Sequence, residues 1–174
     1  MIRTRRLLPL TLLAVALLVV GCAEEPSTTI PSFYRNLGTS TALVDSAMAA
    51  TMISAYRANN GLAPVTVDPV LEQVAADQAR IMAARDNVNA SLDNSRDLED
   101  RLTRAGYTTT RAVENVSAGY RTLAEAFSGW RESKSHNAKL LDPAVRRIGI
   151  ATAYAPTSKY QVYWSVILAA DPAS

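Results

Sequence analysis

Residues 130–151, WRESKSHNAKLLDPAVRRIGIA, decide the fold class because the pattern changes from helix to strand within this one stretch. Its first half continues a helical pattern that covers residues 122–140, and its end begins an alternating run at 148–154 that is typical of a strand. The stretch also holds His136, the only histidine of the chain, four residues after Glu132. In one continuous helix these two side chains share a face, which predicts a carboxylate–imidazole unit. The alternative is a solvent-exposed histidine at the end of a helix.

Helices and strands are mixed along the rest of the chain. Apolar side chains at helical spacing predict helices at residues 43–59, 68–85 and 97–105, and the second begins at Asp68-Pro69, a favourable capping pair. Residues 113–120 and 160–168 are rich in β-branched and aromatic side chains, which predicts two more strands. The long helices must then cover a small sheet, so we expect an α+β fold.

The N-terminus has the pattern of a bacterial lipoprotein signal peptide. Three arginines precede an apolar run at residues 7–20, which is shorter than the about 20 residues that a spanning helix needs. The run ends in Val-Val-Gly-Cys, which resembles a lipobox. We therefore expect residues 1–21 to be removed and Cys22 to be acylated. Because Cys22 is the only cysteine, the chain forms no internal disulfide.

Composition divides the remaining chain into a linker and one domain. Residues 22–42 are rich in Glu, Pro, Ser and Thr and predict a flexible linker, in which Phe33 and Tyr34 are expected to pack back on the domain. Residues 43–170 have the usual length of a domain with one core, and residues 171–174 form a predicted tail. The chain has 18 Lys and Arg against 16 Asp and Glu, and the signal peptide carries three of the arginines. No basic cluster alternates with aromatics, so we expect no nucleic-acid partner.

Four strings, taken in order, resemble the CAP superfamily, also called the SCP domain family, of cysteine-rich secretory, antigen-five and pathogenesis-related proteins. They are AYRANNGLAPVTVDPVLEQVAADQARIMAARD, DRLTRAGY, VENVSAG and WRESKSHNAKLLDPAVRRIGIA, and an aromatic strand, YQVYWSVILA, follows them. The resemblance covers essentially the whole predicted domain. It implies a three-layer α-β-α sandwich with a groove over the sheet.

The resemblance also implies a site in that groove. The family lines its groove with two histidines and two glutamates, and Glu114, Glu132 and His136 match three of these positions. Ala90 stands where the family has its other histidine, at an unbroken spacing from Arg101. We expect the Ala90 side chain to point into the groove toward His136, so that Ala90→His would restore a zinc site. With one imidazole alone we expect no cofactor, zinc at His136 being the alternative.

Two functions are compatible with these residues. The sequence favours a non-catalytic domain of the cell envelope, whose groove binds a lipid, a peptide, a cell-wall fragment or a partner protein. The alternative is a protease-like hydrolase in which Glu132 and His136 are base and acid and Glu114 orients them. Ser133 is interpreted as a helix cap rather than as a nucleophile. In a solvated groove, Gln at position 114 or 132 is expected to change stability little.

Both functions place the protein outside the cytoplasm. Its first partner is then membrane lipid, bound through the acylated N-terminus. If the cell has two membranes, the sequence after Cys22 predicts the outer membrane, with the domain facing the periplasm.

Overall fold

A sheet of four strands lies between two layers of helices in the computed structural model, which describes residues 30–92 and 97–173. The predicted signal peptide, Cys22 and the predicted linker up to residue 29 lie outside the described residues. The helices are α1 (Ser46–Ala58), α2 (Pro69–Arg85), α3 (Leu98–Arg104), α4 (Leu123–Glu132) and α5 (Lys134–Leu140). The strands are β1 (Thr66–Val67), β2 (Ala112–Ala118), β3 (Arg147–Tyr154) and β4 (Val162–Ala169). None of the described helices has the length and apolar character needed to cross a membrane.

The sheet has the strand order β1-β3-β4-β2, so β2 is an edge strand. Strand β4 pairs antiparallel with both β2 and β3, whereas β1 pairs parallel with β3. All eight residues of β4 are buried because helices cover both of its faces. This arrangement confirms the predicted α+β sandwich. Strand β1 was not predicted, since two residues are too few to show the alternation of a strand.

Alternate residues of β4 point to the two helical layers. Trp164, Val166 and Leu168 pack with α1, α4 and α5 in one core cluster, whereas Ile167 packs with α2 and α3 in another. Helix α2 lies directly on β3, because a Cβ atom added at Gly149 would come within 2.1 Å of the Leu71 carbonyl carbon. Glycine at this position lets the helix and the strand approach closely.

Helix α2 begins and ends where the sequence predicts. The Asp68 carboxylate accepts hydrogen bonds from the backbone N–H groups of Val70 and Leu71, and Pro69 occupies the first turn. Asp86 ends the helix in the left-handed conformation. Local capping chemistry therefore fixes both ends of this element.

The prediction of a single helix at residues 122–140 is wrong, because the structure has two helices there. Ser133 has extended backbone angles (φ −80°, ψ 117°), which end α4 and begin α5. Its side chain accepts a hydrogen bond from the His136 N–H, as expected for a cap. Serine competes for backbone hydrogen bonds in this way and favours helix ends over helix interiors.

The N-terminal linker is shorter than predicted. Leu37 is only 3% exposed and belongs to the core cluster beside α4, and its N–H donates to the Arg121 carbonyl at 2.7 Å. Phe33 packs against the same cluster, which confirms the expectation for this side chain. The domain therefore begins before residue 43. The sequence did not predict this, because Phe33 and Leu37 are not at the regular spacing of a helix or strand.

Two other boundaries also differ from the prediction. Strand β4 begins at Val162 rather than at residue 160, because Gln161 has a positive φ of 62° and turns the chain. At the C-terminus, Asp171 forms an ion pair with Arg147 at 2.6 Å, and the Ala173 N–H donates to the Thr108 carbonyl. The predicted tail therefore contacts the domain as far as residue 173.

Candidate functional site

Glu114 lies in a buried ion pair instead of a solvated groove. Its carboxylate receives two hydrogen bonds from the Arg101 guanidinium, Nη2–Oε2 at 2.5 Å and Nη1–Oε1 at 3.2 Å. The Ser165 hydroxyl donates to Oε1 at 2.8 Å. The two charged side chains are only 9% and 10% exposed. The solvated groove expected around Glu114 is therefore wrong, and we expect replacement of Glu114 to destabilise the domain, because it removes one charge of a largely buried ion pair.

His136 lies in the first turn of α5, on the other side of the sheet. Its backbone carbonyl accepts a hydrogen bond from Asn115 Nδ2 at 3.1 Å. Asn115 follows Glu114 in β2, so the two side chains point to opposite faces of the sheet. Burial, and then the positive charge of Lys139, hold the pKa of the His136 imidazole below its ordinary value. The neutral imidazole is therefore favoured at neutral pH.

Glu132 is separate from His136. It is the last residue of α4, it is exposed, and its Oε1 accepts a hydrogen bond from the Ser128 hydroxyl at 3.3 Å. Because the helix breaks at Ser133, the spacing of four residues no longer places the two side chains on one face. No hydrogen bond joins Glu132 to His136 in the described part of the chain. The predicted carboxylate–imidazole unit is absent there.

Ala90 belongs to an apolar cluster instead of an open groove. It lies in the 3-10 turn Val88–Leu92, is 2% exposed, and packs with Ala79, Met82 and Tyr163. The Tyr163 hydroxyl donates a hydrogen bond to the Asp86 carboxylate beside this cluster. The expectation that Ala90 points toward His136 is thus wrong, because the turn closes onto α2 and β4.

Three polar residues that the sequence did not indicate as part of the site contact Glu114. Arg101 and Ser165 bind Glu114, and Lys139 Nζ donates to the Glu114 backbone carbonyl at 2.7 Å, at the free edge of β2. A signal for Arg101 was present, since it follows Leu98 by three residues and so lies near the buried side of α3. Arg101 also lines a cavity of about 560 Å³ between α2 and α3.

The residues present do not fit the zinc ion that the family resemblance implies. No group of three His, Cys, Asp or Glu side chains able to hold a metal occurs within residues 30–92 and 97–173. Glu114 is engaged by Arg101 and Ser165, and Glu132 and His136 do not converge with it. Zinc sites need three or four such ligands around one point.

A set of polar side chains remains around the junction of α4 and α5, where His136 and Lys139 contact the edge strand β2. We call it the edge site, and it consists of Glu132, Lys134, Ser135, His136 and Lys139. Lys134, Ser135 and Glu132 are exposed, and His136 and Lys139 are half-buried. Two lysines, one glutamate and a mostly neutral imidazole suit hydrogen bonding to a polar ligand. The site lacks a carboxylate paired with the imidazole.

Comparison with known proteins identifies the class to which this fold belongs. The sequence profile of the family described as "CAP: Cysteine-rich secretory protein family" matches residues 50–168, more than half of the chain. The chain therefore belongs to the CAP family. A search of curated proteins found no match.

Three solved bacterial structures share the fold. An extracellular protein with an SCP domain from Bacillus anthracis has a TM-score of 0.62 and 19% identity, over 71% of this chain and 39% of that one. An outer surface protein from Borrelia burgdorferi has a TM-score of 0.62 and 18% identity, over 75% of this chain and 98% of that one. A cysteine-rich secretory protein from Staphylococcus aureus has a TM-score of 0.55 and 18% identity, over 70% of this chain and 36% of that one. The chain spans less than half of the Bacillus and Staphylococcus proteins.

Proposed function

We propose that this CAP domain is an exported lipoprotein module that binds a ligand at the edge site without catalysing a reaction. The observation that carries the proposal is the break at Ser133, which separates Glu132 from His136. The buried Arg101–Glu114 pair removes the third candidate group from the same surface. General acid–base catalysis requires these groups within hydrogen-bond reach of one substrate.

Export rests on the predicted lipobox at Cys22. The Bacillus and Borrelia proteins with the same fold are an extracellular protein and an outer surface protein, which is consistent with export of this chain. Acylation of Cys22 is then the anchor, because an acyl chain on this cysteine inserts into a membrane. The Cys22→Ser variant is expected to leave the detergent phase into which the wild type partitions. Equal partitioning of both proteins would contradict the anchor.

Ligand binding is tested by nuclear magnetic resonance on the described domain. Lipid micelles, peptidoglycan fragments and extended peptides are titrated separately, and the expected result is that one class shifts the amide signals of His136 and Lys139. His136→Ala should weaken this response, whereas Arg80→Gln, at an exposed position of α2 on the other face of the sheet, should not. Shifts confined to residues outside the edge site would contradict the proposed location.

The hydrolase alternative has its own test. Peptidase and esterase activity is measured on broad substrate mixtures for the wild type and for His136→Ala. We expect no activity that depends on His136. A wild-type activity with a bell-shaped pH profile that the variant loses would reject the non-catalytic proposal.

A further inference from the structure

Exposed apolar side chains are concentrated where the described chain begins. Ile30 is 68% exposed and Tyr34 is 58% exposed, and Tyr160, in the loop between β3 and β4, is 40% exposed. They are three of the four large hydrophobic side chains with high exposure in residues 30–90 and 97–173, the fourth being Leu43. Exposed groups of this kind, when clustered, are typical of surfaces that contact another phase or partner.

These side chains lie on connected elements. The Leu37 N–H donates to the Arg121 carbonyl at 2.7 Å, which holds the N-terminal segment against the start of α4. The Arg121 guanidinium lies over Gly38, with Nη1 2.5 Å from the place of an added Cβ. The Tyr160 ring lies over Gly119 in the same way, at 3.5 Å. Gly119 and Arg121 are two residues apart, so both groups of side chains lie at the end of β2 that Ala118 forms. We call these side chains together the N-terminal surface, and it consists of Ile30, Tyr34, Arg35, Arg121, Lys159 and Tyr160.

The N-terminal surface combines aromatic rings with positive charge. Lys159 Nζ lies 5.3 Å from the centroid of the Tyr160 ring. Two carboxylates border the patch, and both are engaged. Glu125 accepts from the backbone N–H groups of Arg121 and Thr122, and Asp45 accepts from the Met48 N–H. These hydrogen bonds leave both carboxylates charged, and Asp45 also attracts Arg35. The three cations therefore exceed the two carboxylates by one positive charge beside two tyrosines. Aromatic rings together with basic residues are typical of surfaces that contact the headgroups of anionic lipids.

The covalent chain restricts how far this surface lies from the predicted anchor. Only the seven residues 23–29 separate Cys22 from Ile30. A fully extended chain rises about 3.6 Å per residue, so Ile30 lies within about 30 Å of the acylated cysteine in any conformation. A free chain of this length has an r.m.s. extension of about 15 Å.

We infer that the N-terminal surface lies against the bilayer and binds anionic phospholipid headgroups, with Tyr34 and Tyr160 at the membrane interface. This inference rests on the proposed acylation of Cys22. It sets the orientation of the domain, because the opposite end of β2 then points away from the membrane.

The test uses the full acylated protein in vesicles that contain nitroxide-labelled lipids. Tyr34→Trp places an indole in the N-terminal surface, and the two natural tryptophans, Trp130 and Trp164, report little because both are 0% exposed. Thr108→Trp is the control, since Thr108 is exposed and precedes β2 at its other end. We expect nitroxide lipids to reduce the emission of Tyr34→Trp and to leave that of Thr108→Trp unchanged.

Two further arms separate this inference from the proposed anchor. Adding Arg35→Gln and Lys159→Gln to Tyr34→Trp should reduce the quenching on vesicles with phosphatidylglycerol, and added salt should have the same effect. Flotation of the vesicles with Cys22→Ser tests the anchor alone. If the wild type floats but positions 34 and 108 are quenched equally, the orientation is refuted and the anchor stands. If Cys22→Ser floats as well as the wild type, the anchor is refuted instead.

Discussion

At the scale of single residues, the chemistry of the edge site depends on the protonation of His136. Burial disfavours the charged imidazole, and Lys139 adds electrostatic repulsion, so the folded state lowers the pKa of this group. The unfolded chain then binds the proton more readily than the folded one. The neutral imidazole of His136 therefore contributes fully to the free energy of unfolding above the ordinary histidine pKa of about 6.5. This contribution decreases as the pH falls below that value.

We predict that the His136 pKa measured by nuclear magnetic resonance lies below about 6.5. The assignment is unambiguous because the chain has one histidine. Lys139→Gln should raise the pKa, since it removes the positive charge, but burial should still keep it below the ordinary value. Lys159→Gln serves as the distant control. A wild-type value above the ordinary one would mean that a carboxylate contacts the imidazole after all.

The second prediction at this scale concerns the buried ion pair. Glu114→Gln removes the negative charge that the Arg101 guanidinium and the Ser165 hydroxyl contact, and we expect it to lower the free energy of unfolding by about 3 kcal/mol. Glu132→Gln, at an exposed glutamate, should change it by less than about 0.5 kcal/mol. Urea unfolding measures both. Equally small changes in both variants would indicate that water, rather than Arg101, stabilises the charge of the Glu114 carboxylate.

At the scale of elements, one arginine joins helix α1 to the turn after α5. Arg57 is 0% exposed and donates to the carbonyls of Ala63, Leu140, Asp142 and Val145 at 2.8–3.1 Å. The carbonyls of Leu140, Asp142 and Val145 end α5 and lead into β3, so their positions fix where α5 lies relative to the sheet. Loss of the donors would leave buried acceptors without partners.

We predict that Arg57→Met lowers the free energy of unfolding by about 3 kcal/mol or more, although methionine keeps much of the apolar volume. Arg80→Met is the matched control. Arg80 pairs with Asp77 on the surface, where its side chain is 61% exposed, and such pairs contribute about 0–1 kcal/mol. Similar losses in the two variants would show that the buried hydrogen bonds of Arg57 are not the reason for its effect.

Packing between the turn Val88–Leu92 and helix α2 gives the second prediction at this scale. Ala90→His adds an imidazole to a filled apolar cluster, and we expect a loss of about 1–3 kcal/mol by overpacking. Asn89→His, at the exposed neighbouring position, should change stability little. Calorimetric titration should show no gain of zinc affinity in Ala90→His. A stable Ala90→His protein that binds zinc tightly would mean that position 90 faces His136.

At the scale of the whole molecule, the N-terminal segment completes the core on the α4 side. Leu37 is buried there, and Phe33 packs against the same cluster. We predict that a domain beginning at Leu43 has a free energy of unfolding about 2–4 kcal/mol lower than one beginning at Ile30. Full burial of Leu37 contributes about 1.5–3 kcal/mol, and the half-buried Phe33 contributes less. Urea unfolding of the two proteins measures the difference. Equal stability of the two proteins would mean that residues 30–42 belong to the linker, as the sequence predicts.

The sequence by itself determined the α+β class, the family, helix α2 from its Asp68-Pro69 start, and the approximate positions of β2, β3 and β4. Capping groups and alternating apolar side chains act within a few residues, so these features can be read locally. The helix end at Ser133 is also local, but the apolar pattern on both sides of it concealed the break.

Only the tertiary structure decided which side chains meet. Arg101 and Glu114 belong to different elements, and the neighbour of Glu114 in β2 points to the opposite layer, so the fate of this carboxylate depends on how α3 lies on the sheet. Ala90 is buried because its turn closes onto β4, and Leu37 because the segment docks beside α4. Burial and charge pairing depend on contacts between residues far apart in sequence, and neither spacing nor composition specifies those contacts.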